Sequence, residues 1–442
     1  MLRDRRITIT VTLFRRFLRA CPVPISTAIL CLVLIASLRA QEPVRTATEQ
    51  LPIQSFKRAP EAFFYLGPFQ EELTGSATVQ YTDNVNLAAT NKISDLSFSL
   101  GLTTNTTWVI SHLNQLQFNF GGQVTENLYG NGRNQVNFAI APNSMLEFKF
   151  TVSDLQVRLY DNFSYVQNPA SNPTATNTAN LNSLTNTIGA VINKDLNLAA
   201  LSFSADYTYN DQSGTNVQGQ TNPTTTGTRE SFRFGPSLTF RWSPSILYGI
   251  NAEATRSTSA GAANVNSLNV GPFINGKLSR DFEFDLAAGA TLLDTKPSIP
   301  TDYYLSAAIR YQINRYWQLL FSASHDLIFT TGTSLTEQYL LNVGTQLGLT
   351  RFITFTASSF VNFGDVKTTQ GTVNTAVNGN TTGPYTLFGI EASLRWKPRK
   401  RWTAALIYDF TRRESGATTG TGTAASNSYI QNNIAFSISY AF

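Results

Sequence analysis

The sequence predicts an all-β fold, a transmembrane antiparallel up-and-down β-barrel of about 18 strands (roughly 16 to 18), and three observations predict it. The last fifteen residues, Ser428 to Phe442, set Tyr440, Ile438, Phe436, Ile434 and Ile430 in alternation with Ala441, Ser439, Ser437, Asn433 and Gln431, the period of a strand with one apolar and one polar face. Aromatic residues make up 12% of the chain and charged residues only 14%, yet nothing after Leu38 is apolar for the ~20 residues of a membrane-spanning helix. Finally, the connections between candidate strands alternate between tight turns and long polar loops, the wiring of a barrel that crosses a bilayer.

From the N-terminus, residues 1–40 read as a signal peptide. Arg3, Arg5, Arg6, Arg15, Arg16 and Arg19 stand against a single Asp4, and the apolar run Ile25 to Leu38 follows, with cleavage expected after Ala40. This leader takes seven Arg and one Asp with it. Lys plus Arg then falls from 33 to 26 and Asp plus Glu from 28 to 27, so the net charge moves from +5 to −1. The basic pI belongs to the leader, and no nucleic-acid-binding surface is expected. Both cysteines, Cys21 and Cys31, leave with it, so the remainder carries no thiol and no disulfide framework. With His112 and His325 as the only histidines, no metal site and no cofactor are expected.

Residues 41–70 form an irregular lead-in punctuated by Pro43, Pro52, Pro60 and Pro68, assigned to the periplasmic side, and residues 71–442 form the barrel. The first strand is expected from about Leu73 to Thr82. Its flanks are the segment LGPF (Leu66 to Phe69) and the segment YTDNVNL (Tyr81 to Leu87). This pair resembles the start of the β-barrel porin 2 family of outer-membrane proteins, which implies an outer-membrane barrel. The C-terminal strand closing on Phe442 likewise resembles the endings of bacterial outer-membrane barrels. That resemblance makes Phe436, Ile438, Tyr440 and Phe442 a signal for the barrel assembly machinery.

Alternation marks the remaining strands. Leu96, Phe98, Leu100 and Leu102 share a face, as do Leu116, Phe118, Phe120 and Val124, and Val136, Phe138 and Ile140 with Leu146, Phe148 and Phe150. Leu155, Val157, Leu159, Phe163 and Tyr165 follow a tight turn at Ser153-Asp154. Further tight turns fall at Lys194-Asp195, Ser243-Pro244, Arg280-Asp281, Asn314-Arg315, Thr350-Arg351 and Lys397 to Lys400. Long connections rich in Asn, Thr, Gly and Ser occupy about 167–183, 210–228, 364–383 and 412–428. Trp242, Tyr316, Trp317, Phe352, Trp396 and Trp402 cluster at the tight-turn ends as an interface girdle.

Charges test these registers, because Lys or Arg facing lipid near the midplane costs about 2 to 4 kcal/mol. Lys149, Arg158, Asp206, Arg233, Glu253, Lys277, Glu283, Asp285, Arg310, Glu391, Arg395 and Asp409 all fall on the polar face and are assigned to the pore lining. Asp161 is out of step, in phase with Leu159 and Phe163. Either a bulge or a position above the bilayer is expected there.

A barrel of this size leaves an aqueous channel, and its polar face carries both signs of charge. Glu283 and Asp285 lie on one strand face and read as solvated lining rather than a catalytic pair. No GxSxG or phosphate loop is present, so no enzyme is expected. Three uses fit: passive diffusion of small hydrophilic solutes, export of a polymer such as exopolysaccharide, and a structural or adhesive barrel acting through its loops. The small, polar inner face favours the first. Outer-membrane lipid surrounds such a barrel, and a homo-oligomer is compatible with it. A long loop is expected to fold inward as a constriction; 364–384, with Asp365 and Lys367 at its root, fits best and 168–183 is its competitor.

Overall fold

The computed structural model describes residues 64–87, 89, 91–129, 134–167, 178–216, 227–259, 264–294, 302–329, 334–368, 383–415 and 428–442. The expected signal peptide and most of the expected lead-in lie outside the described residues. In chain order the strands are β1 (Phe64–Leu66), β2 (Phe69–Thr82), β3 (Asp95–Val109), β4 (Gln115–Tyr129), β5 (Asn134–Val152) and β6 (Leu155–Gln167). Next come β7 (Thr178–Asp195), β8 (Ala199–Asn216), β9 (Gly227–Ser243), β10 (Ile246–Ser259), β11 (Val265–Lys277) and β12 (Phe282–Asp294). The last are β13 (Asp302–Asn314), β14 (Trp317–Phe329), β15 (Ser334–Gly348), β16 (Ile353–Thr368), β17 (Gly383–Arg399), β18 (Trp402–Ser415) and β19 (Tyr429–Ala441).

From β2 to β19 each strand pairs antiparallel with the next, and β19 pairs back onto β2, closing an 18-strand barrel. β1 is a short addition that pairs only with the start of β2, Leu66 opposite Phe69. The first barrel strand thus begins at Phe69, four residues before the expected Leu73. Closure satisfies the backbone N–H and C=O groups of both would-be edges, which is what lets a sheet sit in hydrocarbon. With at least 13 residues apiece, β2 to β19 are long enough to cross a ~25 Å apolar band at the usual tilt.

Alternation fixes which face is which. Phe98, Leu100 and Leu102, Phe232 and Phe234, Tyr248 and Ile250, and Ile434, Phe436 and Ile438 are all exposed. Their neighbours in sequence, among them Ser97, Ser99, Ser231, Gly249 and Ala435, are buried in the concave inner wall. A closed barrel with large apolar groups on its convex side has lipid as its only favourable surroundings.

The seam is built around the C-terminus. Ile438 lies opposite Ala77 and Phe436 opposite Val79, while the Phe442 N–H donates to the Leu73 carbonyl at 2.9 Å. The Phe442 ring lies over Gly75. Tyr440 stands edge-on to Phe442 at 5.1 Å and packs on Trp402 at 4.9 Å. At the same tight-turn end Trp242, Tyr316, Trp317, Phe352 and Trp396 are exposed, and Arg315 and Arg351 lie over the neighbouring Tyr316 and Phe352 rings at 4.5 and 4.4 Å.

Register shifts occur in several strand pairs, and the one in β5 bears on Asp161. β5 runs 19 residues, and its register slips against β6 between Ile140 and Ser144. The bulge therefore lies in β5, and Asp161 in β6 keeps the outward phase, paired with Leu146 and Ile188. Its carboxylate is satisfied sideways, accepting a hydrogen bond from Asn186 Nδ2 at 2.6 Å.

Candidate functional site: the lumen and its outer mouth

The inner wall carries two different kinds of surface. On the β5–β9 side, Glu147 is 2% exposed and takes both Lys149 Nζ at 2.8 Å and the Arg158 guanidinium. Arg158 also lies over the Tyr160 ring at 5.1 Å. Two strands on, Asp206 faces Arg233 at 3.4 Å; the two are direct partners in the β8–β9 register. Glu253 shares this inner face on β10, opposite Asn269. Charge here is paired along the wall, so its field is largely closed on itself.

Lower down, Glu283 binds both Lys277 and Arg310, the latter at 3.1 Å, beside the tight turn between β11 and β12. Asp285 lies opposite Asn275 and Ala308. Asp195 accepts from Arg241 at 2.9 Å, and Asp154 meets Lys194 at 3.4 Å. Asp154 sits in the β5–β6 turn, where its own backbone N–H and then the Lys194 ammonium hold its carboxyl below the usual aspartate value.

The opposite wall differs. Glu391 on β17 lies directly across from Asp409 on β18, two like charges whose repulsion is relieved by solvent and by Asn433, which donates to Asp409 at 3.4 Å. Arg395 continues the same face nearer the tight turn, opposite Thr354 and Ala405. Towards the outer end, polarity gives way to an apolar and aromatic cluster of Tyr385, Leu387 and Tyr429, with Phe360 packed against it. Tyr385 lies flat on Gly364 and Phe360 on Gly389, each ring filling the space that a Cβ would need. Arg413, 2% exposed, stacks over Tyr385 at 4.9 Å.

The fourth apolar member of that cluster is Leu87, which belongs to the connection between β2 and β3. The segment YTDNVNL supplies the reason. Asp83 accepts from the Asn432 N–H at 2.7 Å and from its side-chain amide at 2.6 Å. Asn84 donates to the Ile430 carbonyl at 2.8 Å and its own carbonyl accepts from Gln431 at 2.9 Å. Asn86 closes the connection on itself, donating to the Asn91 carbonyl at 3.1 Å and accepting from the Ile93 N–H at 3.0 Å. These bonds bend the chain inward over β19, with Leu87 at φ 49°, a left-handed conformation that a leucine holds only when its surroundings impose it.

The inward-lying segment among the described residues is therefore 83–87. Asp365 and Lys367 both lie in the last turn-ward residues of β16, which ends at Thr368, opposite Glu337 and Leu335, and Asp365 shares the outward phase of Phe363. The alternation of β16 simply runs further than the Gly364 boundary suggested. The connection 369–382 and the competitor's 168–177 lie outside the described residues.

An even number of strands, an apolar convex belt, a polar concave face and tight turns at the end that holds the C-terminus now stand together. This is a β-barrel of the outer membrane. No family model matches the chain, and no curated protein matches its sequence. Among solved structures it is similar to OccK7 (OpdD) of Pseudomonas aeruginosa, at 9% identity over 85% of this chain and 99% of that one with a TM-score of 0.46. OccAB3 of Acinetobacter baumannii gives 10% identity over 85% and 99% with a TM-score of 0.46. The siderophore receptor PirA of Pseudomonas aeruginosa gives 8% over 84% and 80% with 0.42. At identities of this order nothing of those proteins' chemistry transfers to this chain.

Proposed function

We propose that the chain is a non-enzymatic channel of the outer membrane through which small hydrophilic solutes diffuse passively. The observation that carries this reading is the inner wall of a closed 18-strand barrel, polar and lined by both signs of charge. A lumen of that girth holds water rather than a packed core, and balanced charge gives no general preference for anions or cations. The twelve assigned lining residues, from Lys149 to Asp409, set the local field along the path, and the 83–87 segment narrows the outer mouth. The segments Leu66 to Phe69 and Tyr81 to Leu87 support membership of the β-barrel porin 2 family. Phe436, Ile438, Tyr440 and Phe442 are what the barrel assembly machinery would read.

Purified protein in a planar lipid bilayer tests the reading. Ohmic steps, nearly equal for potassium and chloride, are expected. Absence of conductance from correctly folded barrel would transfer the assignment to a structural or adhesive role.

A second reading, a conduit for a polymer such as exopolysaccharide, is favoured by the rings laid flat on the inner wall. Besides Tyr385 and Phe360, Phe273 and Tyr304 place aromatic rings on the inner side of the wall in a cluster with Ala287. Block of the current by long oligosaccharides, and not by monosaccharides, would favour the conduit.

A further inference from the structure

His325 sits on the outward face of β14, five residues from the start of the outer connection, and is 2% exposed. Its ring is held between two tyrosines, Tyr303 at 4.3 Å and Tyr339 at 4.2 Å, whose hydroxyls approach each other at 3.4 Å. Among the described residues neither ring nitrogen has a hydrogen-bond partner, an arrangement that costs free energy when nothing else engages them. Nε2 instead points at Glu337 Oε1, 3.4 Å away. Asp302, at the start of β13, brings a third donor: ligand atoms of Asp302, His325 and Glu337 all lie within 4.8 Å of one another.

We propose that Asp302, His325 and Glu337 bind a first-row divalent cation, for which zinc is the probe, at the outer rim of the barrel. Two ligand atoms at the ~2.1 Å bond lengths of zinc, separated by a tetrahedral angle, stand about 3.4 Å apart, the spacing found between His325 Nε2 and Glu337 Oε1. One imidazole and two carboxylates are a donor set that suits zinc and its neighbours and leaves a position for water. Outer partners already orient the donors. Tyr339 donates to Glu337 Oε1 at 3.2 Å, the Tyr303 N–H donates to Asp302 Oδ1 at 2.8 Å, and the two rings fix the imidazole plane. Asp365 adds a further carboxylate, directly opposite Glu337 across the β15–β16 pair; like charges so placed repel unless a cation lies close. The two carboxylates come from the strands on either side of His325, so the cation would tie the outer ends of β13, β14 and β15 together.

The experiment is a zinc titration of the folded barrel in detergent by calorimetry, with the temperature of the heat-modifiable gel shift as a second readout. One saturable site is expected, together with a rise in the transition temperature that a chelator reverses. His325→Ala and Glu337→Gln should each weaken binding by at least ~10-fold, the lower end of what loss of even an outer partner costs. His112→Ala should leave it unchanged. Should a variant fail to fold, X-ray absorption of the zinc-loaded natural chain decides: a nitrogen and oxygen shell with imidazole scattering supports the site, and a shell without imidazole overturns it. Absence of saturable binding, or binding unaffected by His325→Ala, overturns it as well.

Discussion

The two sides of the lumen solve the same problem in opposite ways. On the β5–β9 side, Glu147, Lys149 and Arg158, then Asp206 and Arg233, neutralise one another along the wall. On the β17–β19 side the charges at the outer end give way to Tyr385, Leu387 and Tyr429, and the space is filled by a folded-in connection rather than by ion pairs. The first sector is a lining whose shape is the wall itself. The second is a lining with an added layer, and it is there that the size of the opening can be altered without touching the barrel.

The comparison is broken most severely by Glu147→Ala. It leaves two cations without their buried partner, and because Lys149 remains partly solvated the cost is expected at about 2 to 3 kcal/mol, below that of a fully dry pair. Chemical unfolding checks the energy, and reversal potentials should move toward anion preference; an unchanged midpoint and unchanged selectivity would mean the three groups do not act as a unit. On the other side, Leu87→Ala should cost about 1 to 2 kcal/mol, less than a closed core, because the site can collapse. Single-channel conductance should rise while the heat-modifiable barrel persists. Asn84→Ala removes one anchoring amide, worth about 1 kcal/mol, and should raise conductance noise more than mean conductance. The smallest effect is expected at the turn pair. Asp154→Asn should shift unfolding only slightly at neutral pH, since both partners are solvated. The folded pKa of Asp154 is depressed, so its contribution is present above the ordinary aspartate value and lost only as pH falls through the depressed one. Between pH 7 and 5 a titration should show no stability change from this group.

Alternation made the barrel legible, because lipid outside and water inside impose opposite chemistry on successive residues and tight turns punctuate the pattern. The charged positions could be phased for the same reason. The inward segment could not be found in this way. Asp83, Asn84 and Leu87 act on residues some 350 positions away, and length, which singled out 364–384, says nothing about such partners. The side-chain pattern Asp-Asn-x-Asn, rich in groups that bond to nearby backbone, was the available signal. His325 was hidden differently. Its ligand partners sit on neighbouring strands, so only counting outward from the 315–316 turn would have put it beside Leu305 and within reach of Tyr303. Asp161 remained out of phase because a buried-looking alternation can hold a carboxylate when a neighbour such as Asn186 completes it.

The seam gives the molecule an order of events. The pairing of β19 with β2 joins the chain's two ends, and the bonds that fold residues 83–87 inward end on residues 430–432. Contacts of such sequence separation form last and slowly. Until Tyr429 and its neighbours have docked, Leu87 has no surface to land on. The inward fold of this connection is thus a by-product of completion: a ring still open at this joint would lack it as well as its last hydrogen bonds, so in the proposed channel permeability itself would report that the last strand has arrived.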